Sequence, residues 1–165
     1  MPKSVQRYWD SDCFLGWFNA ESDKVSRCKG TVEKAHRGKV ELVVSAITLV
    51  EVIRLKGKPR LKESSEQKIK EFFENDFILL VNVDKFIAES ARKLIWDKNL
   101  KPKDSIHVAT ALYKKISILN TFDNDLLKLD GQLELNDRSD KLKICEPDIQ
   151  VTGNLFDKHD EEKEE

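Results

Sequence analysis

The sequence predicts an α/β fold, a three-layer α/β/α sandwich around a central parallel sheet of about five strands. Two patterns lead there. Short apolar runs rich in β-branched residues recur without polar alternation, as expected of strands covered on both faces. Longer segments with apolar residues at helical spacing separate them, and strands alternating with helices join through right-handed crossovers into a parallel sheet. The length, 165 residues, suits one compact domain.

The elements follow in chain order. A first, more polar strand is expected over Val5 to Trp9. Helical spacing begins at Phe14, runs to about Ala20 and continues toward His36. The second strand is Val40-Glu41-Leu42-Val43-Val44. A helix from Ala46 to Leu55 comes next, with Ser45 as its cap. Another helix is expected over Leu61 to Phe73, ahead of the strand Ile78-Leu79-Leu80-Val81. Asp84 is placed to cap a helix from Lys85 to Trp96. Ser105 to Tyr113 forms the next helix, with Pro102 suited to a first turn, where its missing N–H costs nothing. Ile116-Ser117-Ile118-Leu119 and a segment around Leu142 to Cys145 complete the sheet.

Composition narrows the function. Hydrophobic residues make up 39% and charged residues 36% of the chain, so an ionic surface surrounds concentrated apolar runs, and disorder throughout is excluded. A formal charge of -1 gives no global attraction for a polyanion, so any nucleic-acid binding must come from a local patch or a metal. Cys13, Cys28 and Cys145 are odd in number and far apart, which suits reduced thiols acting as small core fillers. No apolar run reaches the roughly 18 residues of a membrane span and no signal-peptide pattern opens the chain, so a cytoplasmic protein is expected. Residues 157 to 165 carry nothing apolar to anchor them. We expect 151–165 to be an acidic tail without fixed structure, His159 being solvated.

In an open parallel sheet, ligands sit beyond the carboxyl ends of the strands. Here the residues just past those ends are repeatedly acidic. Asp10 and Asp12 follow the first strand, and Asp123 and Asp125 follow the fourth. Glu51 lies within the nearly all-apolar Ala46-Ile47-Thr48-Leu49-Val50-Glu51-Val52-Ile53, on the face shared with Ile47 and Leu55. An unpaired carboxylate there would be costly or carry a raised pKa. Asp104 opens the helix Ser105-Ile106-His107-Val108-Ala109. Caps explain Asp12, Asp104 and Asp125 individually, but several carboxylates at one end of a sheet repel one another, and a hard divalent cation is the usual remedy. Mg²⁺ or Mn²⁺ fits, and metal-dependent phosphodiester hydrolysis is the natural chemistry.

These residues also carry a resemblance. Tyr8-Trp9-Asp10-Ser11-Asp12, Ser45-Ala46-Ile47-Thr48-Leu49-Val50-Glu51, Asp104-Ser105-Ile106-His107-Val108-Ala109-Thr110-Ala111 and Thr121-Phe122-Asp123-Asn124-Asp125 resemble, in order, the motifs of PIN-domain nucleases, including the toxins of VapBC-type toxin-antitoxin pairs. The resemblance implies a PIN-like nuclease domain over residues 1–150 with sheet order 3-2-1-4-5. It also implies a Mg²⁺- or Mn²⁺-dependent endoribonuclease. Asp10, Glu51, Asp104 and Asp123 would be catalytic, metal-binding carboxylates, with Asp125 an accessory ligand and Ser11 and Thr121 supporting through hydroxyls. An antitoxin protein and a homodimer are expectations of the same kind. Asp12 departs from the pattern by standing where the family usually has Asn. His107 is read as a packing residue.

Arg54, Lys56, Lys58, Arg60 and Lys62 form a run of five cations without an acid, a path for an RNA backbone or, equally, a solvated loop or protein contact. Trp9, Phe14, Trp17 and Phe18 are able to stack on bases, but the spacing of the last three favours core. Two other readings stay open. Asp10-Ser11-Asp12 also resembles the opening of haloacid-dehalogenase-type phosphatases, with Asp10 as nucleophile and Ser45 and Lys101 or Lys103 in the other posts. The remaining one is a non-catalytic scaffold that binds a partner.

Overall fold

In the computed structural model of the chain, the described residues are 3–53, 59–135 and 140–147. Five strands form one sheet: β1 (Val5–Trp9), β2 (Val40–Ser45), β3 (Ile78–Val81), β4 (Ile118–Asn120) and β5 (Lys143–Cys145). All pairs are parallel and the order is β3-β2-β1-β4-β5. The α/β/α sandwich expected from the apolar runs is therefore observed.

Alternation along the central strands divides the core into two layers. Tyr8 and Val43 face a cluster containing Ile87, Ala91, Val108, Leu119 and Leu126. Trp9, Leu42 and Val44 face the opposite cluster, with Phe14, Val32 and Ile69. The helices α5 (Lys85–Lys98) and α6 (Pro102–Tyr113) cover the first layer, and α1 (Ser11–Phe18), α2 (Val25–His36) and α4 (Glu66–Phe73) cover the second. Cys13 and Cys28 are free, buried thiols. No helix among the described residues is long and apolar enough to cross a membrane.

Three helices differ from their sequence pattern, each for a local reason. The helical stretch toward His36 is broken after α1, because Ala20 adopts a left-handed conformation with φ 49°. Glu21 N–H then reaches Gly16 O at 3.1 Å and Ala20 N–H reaches Trp17 O at 3.2 Å, the paired bonds of a Schellman stop. Gly16 is needed here, since a Cβ would lie 2.9 Å from Lys24 Cβ at the entry to α2.

After β2, the expected helix to Leu55 is only α3 (Ile47–Glu51). Val52 sits at φ -77°, ψ 62° and Ile53 N–H bonds Glu51 O at 2.8 Å, an inverse γ-turn in a β-branched run that favours helix weakly. The Ile53 carbonyl then accepts Leu61 N–H at 2.7 Å, drawing the chain back. Ser45 Oγ accepts from Ile47 N–H at 3.4 Å, although Ala46 occupies the cap position. The third helix begins late: a short 3₁₀ turn (Glu63–Ser65) precedes α4, Lys62 being extended at ψ 141°.

Elsewhere the local signals hold. Asp84 caps α5, its Oδ1 accepting Ile87 N–H at 2.8 Å, and Asn99 closes that helix in the left-handed region. Pro102 lies in the first turn of α6 and Lys101 is the cap, so capping does not account for Asp104. A short helix that the sequence pattern missed, α7 (Asn124–Leu127), follows β4. Residues 151–165, expected to be a tail, lie outside the described residues.

Asp84→Ala removes the cap of α5, just after the edge strand β3. It should lower stability in urea unfolding by about 0.5–2 kcal/mol and leave divalent-metal binding unchanged.

Candidate active site

The sheet order reverses between β1 and β4, and that switch point opens a crevice at the carboxyl ends of the two strands. Asp10 N–H bonds Asn120 O at 3.2 Å across the seam, so the residues following the strands enter the same space. A cleft of about 460 Å³ is lined there by Asp10, Asp12, Glu51, Asp104 and Asp123, with Ser11, Arg60, Lys103 and His107. The structure thus brings together Asp10, Glu51, Asp104 and Asp123 from four separate segments.

Asp10 and Asp123 are also helix caps. Asp10 Oδ1 accepts Asp12 N–H at 2.7 Å at the start of α1. Asp123 Oδ1 accepts the N–H groups of Asp125 and Leu126 at 2.8 and 3.3 Å at the start of α7. Thr121 joins them: its hydroxyl donates to Asp10 Oδ2 at 2.7 Å and accepts Asp123 N–H at 3.0 Å. Asp12 accepts Phe122 N–H with both oxygens, at 3.2 and 3.1 Å, tying the first strand's loop to the fourth's.

The fourth side of the cleft is Glu51. Its Oε1 accepts from Ser11 Oγ at 2.9 Å and lies 2.7 Å from His107 Nε2. The same ring offers Nδ1 to the Tyr8 hydroxyl at 2.7 Å. Ser11 and Thr121 therefore hold carboxylates through their hydroxyls.

A family model for the PIN domain matches residues 7–132. The chain belongs to the PIN-domain family. A solved toxin-antitoxin complex from Klebsiella pneumoniae has the same fold, with TM-score 0.53 and 21% identity, over 73% of this chain and 89% of that chain. Comparison with curated proteins finds no match.

The electrostatics of this PIN-domain cleft reflect its crowding. Burial raises the Asp10 carboxyl well above the usual range and the Asp12 charge adds to it, while the Thr121 hydroxyl opposes both. Burial also raises Asp104, reinforced by the Asp123 charge. Glu51 behaves differently. Burial acts to raise it, but the His107 imidazole, the Ser11 hydroxyl and Lys103 together hold it below the usual carboxylate range. A carboxylate kept ionised beside two that resist ionisation is a donor set suited to a hard divalent cation. Cys13 Sγ lies within 4.8 Å of ligand atoms of Asp10 and Asp12. It is an unsuitable ligand, because burial pushes its thiol pKa well up and its S–H points to Asn120 O at 3.4 Å.

Other expected residues fall elsewhere. Asp125 does not line the cleft; it is exposed in the first turn of α7, 3.6 Å from Lys101 Nζ and 3.8 Å from Lys128 Nζ, near cations that would compete with a metal. Arg60 lines the cleft, whereas Lys62 lines a neighbouring depression with Phe18 and Glu21. Arg54, Lys56 and Lys58 lie outside the described residues. Trp9 and Phe14 are buried in the core, and Trp17 and Phe18 pack against it. His107, read from sequence as packing, and Tyr8, not singled out at all, are the polar residues that sequence reasoning missed. Their signal was present as a histidine one turn after Asp104 on an otherwise apolar helix face.

A buried acid whose folded pKa lies above its unfolded one stabilises at low pH, and that stability is lost as pH rises through the folded pKa. Asp10→Asn, which keeps an oxygen acceptor for the α1 cap, should therefore raise the urea midpoint at pH 8 in the presence of chelator. The gain should shrink as pH falls toward about 4.

Proposed function

We propose that this cleft is the active site of a metal-dependent endoribonuclease. The observation that carries the reading is the meeting of Asp10, Glu51, Asp104 and Asp123 in one crevice at the switch point of the sheet. These four would hold Mg²⁺ or Mn²⁺ through oxygen alone, as such hard ions require. When bound there, such a cation would polarise a phosphoryl oxygen and lower the pKa of a water bound to it.

The protein's own residues supply the rest. Thr121 fixes the Asp10 carboxylate and the turn bearing Asp123. Ser11 and His107 fix Glu51. Lys103 and Arg60, the cations lining the cleft, would orient the phosphate to be cut. RNA as substrate agrees with a local basic run on a chain without net positive charge, since binding then depends on that run and the metal. Free thiols suit a reducing cytoplasm. The likeness to a chain from a toxin-antitoxin complex supports a toxin role with an antitoxin partner, and a homodimer remains part of this reading. The phosphatase alternative is less economical, because it gives Glu51 and Asp104 no task although both line the cleft.

Purified protein should cleave RNA with Mg²⁺ or Mn²⁺, stop in chelator and recover when Mn²⁺ is restored. Asp10→Asn, Glu51→Gln, Asp104→Asn and Asp123→Asn should each lower the rate by about 10²-fold or more while circular dichroism stays unchanged. Near wild-type rates in three of the four would defeat the assignment.

The basic run has a separate signature. The combined Lys56→Ser, Lys58→Ser and Arg60→Ser variant should bind Mn²⁺ normally but bind RNA more weakly. Its slope of log affinity against log salt should flatten by about 0.7 per lost contact to a single strand. An unchanged slope would assign the run to solvent or to a protein partner.

A further inference from the structure

We propose that Tyr8 and His107 form a buried hydrogen-bond relay that sets the orientation of the Glu51 carboxylate, making both of them positioning residues for the metal site. The inference rests on the metal-dependent reading above.

Glu51 is poorly fixed by its own segment. It is the last residue of the five-residue α3 and is followed at once by the turn at Val52. Its neighbours Leu49, Val50 and Ile53 are 46%, 70% and 42% exposed, so Val52, buried in the core, is left to anchor this corner by apolar packing. His107 contrasts with it. The imidazole is 2% exposed on the twelve-residue α6, and Tyr8, fully buried in β1, meets it edge-on with ring centroids 5.8 Å apart. The Glu51 carboxylate, at the end of a short helix, is thus tied to a twelve-residue helix and a central strand.

For a neutral imidazole the donors run in one direction only. An ionised carboxylate accepts and does not donate, so the 2.7 Å contact requires the hydrogen on His107 Nε2. With Nε2–H donating, Nδ1 of the neutral ring is an acceptor, and the Tyr8 hydroxyl donates to it at 2.7 Å. A phenol carries its proton at neutral pH and is able to donate it. Ser45, which also interacts with the phenol, roots the relay in β2. The opposite tautomer would set a bare Nε2 lone pair against Glu51 Oε1. Ser11 Oγ, donating to the same oxygen at 2.9 Å and 3.3 Å from Nε2, completes the fixation. A histidine that served only to fill space would not need both ring nitrogens matched at 2.7 Å. Orienting partners of metal-binding carboxylates and imidazoles typically contribute about 10–100-fold to metal affinity.

The test uses the full chain with Mn²⁺ as probe, its free concentration read by electron paramagnetic resonance. Tyr8→Phe keeps the buried ring and removes only the donor, and His107→Gln keeps an N–H able to reach Glu51. We expect His107→Leu to weaken Mn²⁺ binding by about 10–100-fold, Tyr8→Phe to weaken it less, and His107→Gln to recover much of the loss. Raising Mn²⁺ should restore part of the RNA cleavage lost in Tyr8→Phe. Independently of metal, ¹⁵N–¹H correlation spectra of the wild-type imidazole should show Nε2 protonated and Nδ1 bare. Mn²⁺ affinity within twofold of wild type in both folded Tyr8→Phe and His107→Leu would overturn the proposal, as would an Nδ1–H tautomer in the wild type. Failure of the wild type to bind Mn²⁺ would instead overturn the metal reading and with it the relay's part in metal binding.

Discussion

Mutual repulsion among carboxylates at the carboxyl ends of β1 and β4 is the constraint to which the surrounding structure answers. Burial makes ionised Asp10 and Asp104 unfavourable, and neighbouring acids worsen both. The fold tolerates this by engaging carboxylate oxygens with helix N–H groups, with hydroxyls from Ser11 and Thr121, and with the imidazole of His107. The helix N–H groups among these donors explain why Asp10 and Asp123 stand where helices begin. The arrangement keeps the chain folded at the cost of an uncomfortable charge density, and a divalent cation would relieve it.

Residue by residue, the sequence disclosed more of the fold than of the site's wiring. Uninterrupted runs such as Val40 to Val44 identified buried strands because covering both faces of a parallel sheet removes polar alternation. Asp84 and Pro102 marked helix starts because their chemistry acts within one turn. The same local reasoning failed at Ala20 and Val52. Neither is a strong breaker, and the stops depend on backbone bonds from Glu21 to Gly16 and from Leu61 to Ile53, whose geometry no composition pattern records. Glu51 looked conspicuous for its apolar neighbours, yet Val50 and Ile53 proved exposed at the cleft. The reason for suspecting it was burial among apolar residues. What distinguishes it in the structure is a hydrogen-bonded imidazole 56 positions away.

Asp12 illustrates how a departure from a family pattern is absorbed. An Asn at this position would offer one oxygen and one amide group, whereas the Asp12 carboxylate accepts Phe122 N–H with both oxygens. That bond fastens the loop after β4 to the loop after β1 on the same side as Thr121. The extra charge has a consequence in Asp10, whose pKa it helps to raise. Asp12 therefore adds charge at the cleft while it ties the seam across the switch point. The interloop bond is structural, and the charge it brings adds to the demand for a cation.

The four carboxylates are fixed by different means, and the difference follows from where each lies on its element. Asp10 and Asp123 begin helices, so the first turn's unsatisfied N–H groups orient them locally. Asp104 sits in the first turn of α6, whose backbone is held by packing against α5. Glu51 ends its helix, where the backbone presents carbonyls and offers a carboxylate nothing but repulsion. Its own helix end gives it no donor, and Ser11 and His107 supply donors from α1 and α6. The position that local structure serves worst is thus the one with the most extended side-chain network, and that network passes through Tyr8 into the middle of the sheet. The middle of the sheet is thereby connected to the one wall of the cleft that its own helix end leaves without a donor.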